Sequence, residues 1–140
     1  MKNEYNLPCN IAQTLNIIGD KWTLLILRQL MIGHDTYHEI QESLEGIPSN
    51  LLSKRLKCLE KDELITSGLY QNHPPRYRYV LTDSGMDLSD VFHSLIIWGE
   101  KNLQKCNKQL SHTECKHKIE HQYYCPHCNK IVDKNDLSIE

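Results

Sequence analysis

No stretch of this chain is apolar for long enough to cross a bilayer. The longest such run, Leu24 to Ile32, is interrupted by Arg28 and falls short of the roughly 20 residues that a spanning helix needs. The first residues, Met1-Lys-Asn-Glu-Tyr-Asn, lack the hydrophobic core of a secretory leader, so a cytoplasmic protein is expected. The six cysteines are then not expected to form a disulfide framework, because the cytosol keeps thiols reduced. They read instead as core residues, metal ligands or redox sensors. An excess of one charge is missing too: the net charge is −2 at pH 7, which gives no global sign of a polyanionic partner. With 140 residues, 39% hydrophobic and 24% charged, the chain suits one packed domain with a short appendage.

The helical signals come early. Ile11, Leu15 and Ile18 fall at the spacing of a short amphipathic helix. After Gly19-Asp20, the segment Lys21 to Ile32 is apolar on nearly every side, which places it at the centre of a small domain, and Gly33 stops it. Thr36-Tyr37-His38-Glu39 is a capping box, predicting a third helix to about Leu44. Pro48-Ser49 opens a fourth, with Leu52, Leu56 and Leu59 as its buried stripe. Strand-like runs Leu64 to Tyr70 and Tyr77 to Thr82 flank the turn-rich Gln71 to Arg76 and predict a hairpin. Thr82-Asp-Ser-Gly85 starts a longer helix to about Leu103. Its apolar residues Leu88, Val91, Phe92, Leu95, Ile96 and Trp98 cover more than one face, so it needs a second partner as well as its own core. A second copy of the chain would serve.

The order helix, short turn, helix, hairpin matches a winged helix-turn-helix, mainly α with a small β-hairpin wing (α+β). In such a unit the second helix enters the major groove of DNA and the first braces it. Charge supports this locally. From Pro48 to Val80 there are six cations (Lys54, Arg55, Lys57, Lys61, Arg76, Arg78) against three anions, a basic surface on a nearly neutral chain. Ser49, Asn50 and Ser53 stand where base edges would lie, and Asn pairs with adenine through two bonds. Lys54, Arg55 and Lys57 suit phosphates. Arg76 and Arg78 alternate along one strand and so point to one side of the wing. Two function classes fit: a regulator of double-stranded DNA, or a protein-interaction adaptor using the same fold without DNA. No catalytic constellation is recognisable, so an enzyme is not expected.

Residues 9–103 resemble the HxlR-type winged-helix regulators, a branch related to the MarR group. The resemblance rests on Cys9-Asn-Ile-Ala, Ile18-Gly-Asp-Lys-Trp-Thr-Leu-Leu-Ile-Leu-Arg28, Leu51-Leu-Ser-Lys-Arg-Leu-Lys-Cys-Leu-Glu60, Pro74-Pro-Arg-Tyr-Arg-Tyr-Val-Leu-Thr-Asp-Ser-Gly85 and Trp98-Gly99. It implies a homodimer whose first and last domain helices build the interface and whose two reading helices bind a pseudo-palindromic operator; repression is the expected sign of regulation. Glu63 stands where the family's reading helix usually ends in glycine. Cys9, at the start of the first helix, lies where a helix dipole can make a thiol more reactive. Some members of the family sense oxidants or electrophiles there, which makes Cys9 a redox-sensing candidate; the alternative is a packed interface residue.

Residues 1–105 thus read as the DNA-binding and dimerisation domain and 106–140 as a Cys/His-rich tail. Between His112 and Cys128 lie three cysteines and four histidines, a density that disfavours chance. Cys125-Pro-His-Cys128 has the spacing of a zinc knuckle, and His112-x-x-Cys115 offers a second pair at the same separation. The preferred structural zinc set is His112, Cys115, Cys125 and Cys128, with His117, His121 or His127 as replacements for His112. A thioredoxin-like dithiol needs a strand–helix context, and too little chain follows Cys128 to supply one.

Overall fold

The computed structural model describes residues 4–105 and 108–140. Cys106 and Asn107, with which the expected tail begins, lie outside the described residues. Two compact units are present, residues 1–89 and 90–140. The division falls earlier than the composition change near Lys105, so the helix following Ser89 groups with the tail.

In the first unit the order is α1 (Asn10–Ile18), α2 (Thr23–Met31), α3 (Tyr37–Ser43), α4 (Ser49–Lys61), β1 (Ile65–Asn72), β2 (Pro75–Leu81) and α5 (Asp83–Asp87). Its core is aliphatic. Ile26 and Leu27 of α2, Ile40 of α3, Leu52, Leu56 and Leu59 of α4 and Ile65 of β1 are all at most 2% exposed. Each side chain so buried contributes roughly 1.5–3 kcal/mol relative to an exposed one. The α1 stripe behaves otherwise. Ala12 and Ile18 are buried, but Ile11 and Leu15 are 64% and 43% exposed, so the helix is apolar on a second, uncovered side.

Helix ends follow local chemistry. α2 stops where Gly33 takes φ 100°, a left-handed conformation that glycine adopts without a Cβ clash. Thr36 caps α3 by accepting the Glu39 amide at 3.3 Å. Glu39 reaches back to the Asp35 amide at 3.0 Å, one residue beyond the expected box. α4 is capped by Asp62 and followed by Glu63, which has φ 62°, while Leu64 donates to the Leu59 carbonyl at 3.0 Å. A side chain in that conformation costs roughly 1–2 kcal/mol. The Glu63→Gly variant is therefore expected to be more stable by about 1 kcal/mol, since some gain is lost to the freer unfolded chain; urea unfolding with an unchanged m-value is the check.

The strands pair antiparallel from Ile65↔Leu81 to Asn72↔Pro75, with a register shift between Leu69 and Gln71. They run closer to the turn than the sequence pattern suggested, because pairing continues through the polar Asn72. The helix expected from Thr82 to Leu103 is two: α5, then α6 (Ser89–Asn102). The break follows Asp87, where the Leu88 amide donates to the Gly85 carbonyl at 3.3 Å rather than to Ser84, one residue further back. Gly85 itself is dictated by space, since a Cβ there would lie 2.2 Å from the Leu64 carbonyl oxygen.

In the second unit α6 buries Phe92 and Gly99 and leaves Leu95 and Trp98 more than half exposed. The tail adds a bracket closed by the Ser111↔Lys118 bridge and a hairpin of β3 (Tyr123–Cys125) and β4 (Lys130–Val132). Lys118 pairs with Glu100 of α6 at 2.9 Å. Among the described residues, no helix is long and apolar enough to cross a membrane.

Candidate nucleic-acid interface

The polar side of α4 is open. Ser49, Asn50, Lys54 and Lys57 are exposed and Ser53 is half-buried, opposite the Leu52, Leu56, Leu59 stripe. The start of this helix is anchored by α3, whose Tyr37 hydroxyl donates to the Ser49 carbonyl at 2.7 Å. The Asn50 amide oxygen accepts from the Leu51 amide at 3.0 Å, so reading a base edge with both of its polar atoms requires a side-chain rotation.

Arg55 departs from expectation. Instead of joining Lys54 and Lys57 on the open face, its side chain is 17% exposed and its Nε lies 3.2 Å from Asp20 Oδ2. That nitrogen has no aligned hydrogen-bond acceptor, so the contact is chiefly electrostatic. Asp20 also accepts the Trp22 and Thr23 amides at 3.0 and 3.1 Å and the Thr23 hydroxyl. It therefore satisfies the amides of the turn that leads into α2 while tying α4 to it. Burial pushes the Asp20 carboxyl up, but the bonds from Thr23 and Trp22 and the Arg55 charge outweigh it and hold the group below its usual value. The pattern Asp20-x-x-Thr23 was the available sign of this role, being a common helix start.

The two wing arginines also separate in role. Arg76 is exposed at the tip, with no ion pair among the described residues. Arg78 reaches Asp35 Oδ2 at 3.4 Å and stacks over Tyr70, 5.0 Å from the ring centre. Its backbone bridges to Thr36, and the Tyr79 amide donates to the Asp35 carbonyl at 2.9 Å. Arg78 thus links the wing to the start of α3 while staying more than half exposed, and Arg76 has no ion pair among the described residues. Between α3 and the wing lies a groove of about 590 Å³ lined by Tyr37, His38, Tyr70, Arg76, Tyr77 and Tyr79 among others. Burial, then Glu60, Tyr37 and Tyr77, push the Tyr79 phenol up.

Cys9 precedes α1 and is exposed; its carbonyl accepts the Gln13 amide at 2.9 Å. Cys58 is half-buried on the flank of α4. In the tail, the four expected metal ligands stand as two pairs. His112 Nδ1 is 3.2 Å from Cys115 Sγ, and the Cys128 amide points at Cys125 Sγ at 3.5 Å. That bond and the Cys128 thiol lower the Cys125 thiol below its ordinary value. Among the described residues, no group of three or more His, Cys, Asp or Glu converges on one metal-sized point. Of the alternative ligands, His121 stacks on Tyr123 and His127 Nδ1 lies 4.0 Å from Cys128 Sγ.

Two bracing helices, an open polar helix and a hairpin with a free basic tip define a winged helix-turn-helix transcription regulator. More particularly, residues 17–107 match the HxlR-like helix-turn-helix family, and the chain belongs to it. An uncharacterised HTH-type transcriptional regulator of Mycobacterium bovis, Mb3122, is 30% identical over 134 residues, covering 94% of this chain and 84% of that protein. The structure of PA1374 from Pseudomonas aeruginosa superimposes with a TM-score of 0.73 at 26% identity, covering 94% of this chain and 91% of that one. The redox regulator HypR in its reduced form gives 0.62 at 28% identity, covering 67% and 93%.

Proposed function

We propose that this chain is a cytoplasmic DNA-binding repressor that works as a homodimer on a pseudo-palindromic operator. The observation that carries the reading is the open face of α4. Ser49, Asn50, Lys54 and Lys57 are exposed together on a helix held from behind by Tyr37 and by the Asp20–Arg55 pair. With α4 in the major groove, Asn50 and Ser53 meet base edges, Lys54 and Lys57 meet phosphates, and Arg76 reaches the neighbouring backbone. Dimerisation is supported by Ile11 and Leu15 on α1 and by Leu95 and Trp98 on α6, large apolar side chains left uncovered in a single copy. A dimer seated over a promoter represses by occlusion.

The test is selection of binding sites from random DNA with the full chain, followed by salt titration on the enriched sequence. The expected product is an inverted repeat with half-sites about one helical turn, or a multiple of it, apart, bound with steep salt dependence. No enrichment, with binding insensitive to salt, would favour the protein-interaction adaptor.

A thiol response is a second reading, favoured by the exposure of Cys9 ahead of α1 and by the likeness to a redox regulator. Oxidant is expected to weaken operator binding by wild type and not by Cys9→Ser in a gel-shift series. An identical response from both proteins removes Cys9 from the mechanism.

A further inference from the structure

Two turns in the tail share one construction. In the first, His112 and Cys115 are separated by two residues, and Lys116, directly after the cysteine, has φ 63°. The His112 carbonyl accepts the Lys116 amide at 2.8 Å and its amide donates to His117 at 2.9 Å. In the second, Cys125 and Cys128 have the same separation, and Asn129, directly after the cysteine, has φ 54°. Residues other than glycine seldom adopt positive φ. Among the described residues only three do so, and two occupy this one equivalent place. A left-handed residue there bends the chain back after the second donor, leaving both donors on the same side of the turn.

The donor chemistry fits. Two ligands of one tetrahedral zinc, one nitrogen and one sulfur, stand about 3.6 Å apart, and His112 Nδ1 and Cys115 Sγ are already 3.2 Å apart. The tail also lacks another source of cohesion. Of the described residues from 108 to 140 none is buried, although the backbone is bracketed twice. A segment without a core acquires fixed structure when a metal closes it.

We propose that one zinc ion is held by His112, Cys115, Cys125 and Cys128, each turn supplying two donors. The first turn is fixed by the Lys118–Glu100 pair and the Ile119–Leu110 backbone bond. The second swings onto it through the exposed link 119–122. Three thiols give up their protons on binding, and His112 coordinates through Nδ1 as the neutral imidazole. No open position remains, so the ion is structural.

The full chain, made without a polyhistidine tag or chelator and kept reduced, should carry one zinc per chain by native mass spectrometry and elemental analysis. Cobalt in its place should give the intense visible bands of a tetrahedral thiolate site. Cys125→Ser and His112→Ala should each lose the metal, His112→Cys should restore it, and Cys58→Ser should keep it. Stripping zinc should speed tryptic cleavage after Lys118 and Lys130 while cleavage within α2 and α4 stays unchanged. The proposal is overturned by reconstituted protein that takes up no metal, or by zinc that survives Cys125→Ser. Zinc lost with Cys125 but indifferent to both His112→Ala and Cys115→Ser would also overturn it, leaving only a dithiol site. None of these readings depends on DNA binding.

Discussion

A chain carrying Lys54→Ala, Lys57→Ala and Arg76→Ala together is expected to bind every DNA sequence far more weakly, with its preference among sequences retained. Each neutralised phosphate contributes about a factor of five in affinity near 0.15 M salt, so six lost contacts in a dimer amount to about 10⁴-fold. The salt slope should flatten by about five units on a log–log plot for the same reason. Asn50→Ala should behave in the opposite manner. It removes no phosphate contact, so the slope stays, but discrimination at one base pair of each half-site falls by about 1–3 kcal/mol. Arg78→Ala and Arg55→Ala provide the contrast within the same charge class. Both have acidic partners, Asp35 and Asp20, but Arg55 is mostly buried while Arg78 is 56% exposed, so Arg55→Ala should show first in stability and Arg78→Ala should cost at most about 1 kcal/mol there. A triple variant with an unchanged salt slope would place the DNA surface elsewhere.

The second large effect concerns Asp20. Asp20→Ala removes the cap-like acceptor of the Trp22 and Thr23 amides at the entry to α2, worth about 1 kcal/mol, and leaves a mostly buried Arg55 guanidinium without its counter-charge. Breaking a fully buried pair costs about 3–5 kcal/mol. Partial exposure of both side chains, 17% and 22%, lowers that figure, so a total loss of about 3 kcal/mol and a fall in Tm of roughly 10 °C are expected. The pH dependence has a definite sign. The folded carboxyl titrates below its ordinary value of about 3.9. The contribution is therefore fully present above that ordinary value and is lost as pH falls through the lower folded one. Asp20→Asn keeps an acceptor for the Trp22 and Thr23 amides but not the charge. It should recover the cap part of the loss and show a flatter acid limb in urea unfolding below about pH 4. An Ala variant as stable as wild type would mean that Arg55 finds another acceptor, and α4 would need a different anchor.

Much of the fold was legible in the sequence because its signals are local. The Leu52, Leu56, Leu59 spacing needs only the 3.6-residue period, and Thr36 with Glu39 makes its cap within one turn. The wing was bracketed by β-prone residues around a polar link, although its pairing extends through Asn72. The single long helix predicted after Thr82 failed at Leu88, where the apolar pattern continues but the backbone bonds tighten and break. Hydrophobic periodicity carries no information about such a break.

Which arginines remain free was not legible, for a related reason. Lys54, Arg55, Lys57, Arg76 and Arg78 are equivalent as charges along the chain. Arg55 becomes structural because packing brings Asp20 to it, and Arg78, still exposed, gains Asp35 from across 43 positions of sequence. Only tertiary structure can make that pairing.

By itself, the sequence determined that there is a helix with a polar face and a buried stripe, a shorter helix before it, a hairpin after it and two Cys/His pairs at ligand spacing. All of these follow from spacing and turn chemistry within a few residues. The tertiary structure decided the rest: which cations face outward, which apolar side chains of α1 and α6 lack cover, and how the residue after each metal-type pair bends the chain back. Those outcomes depend on which atoms meet once the core has closed, and on the backbone geometry that the closed chain adopts.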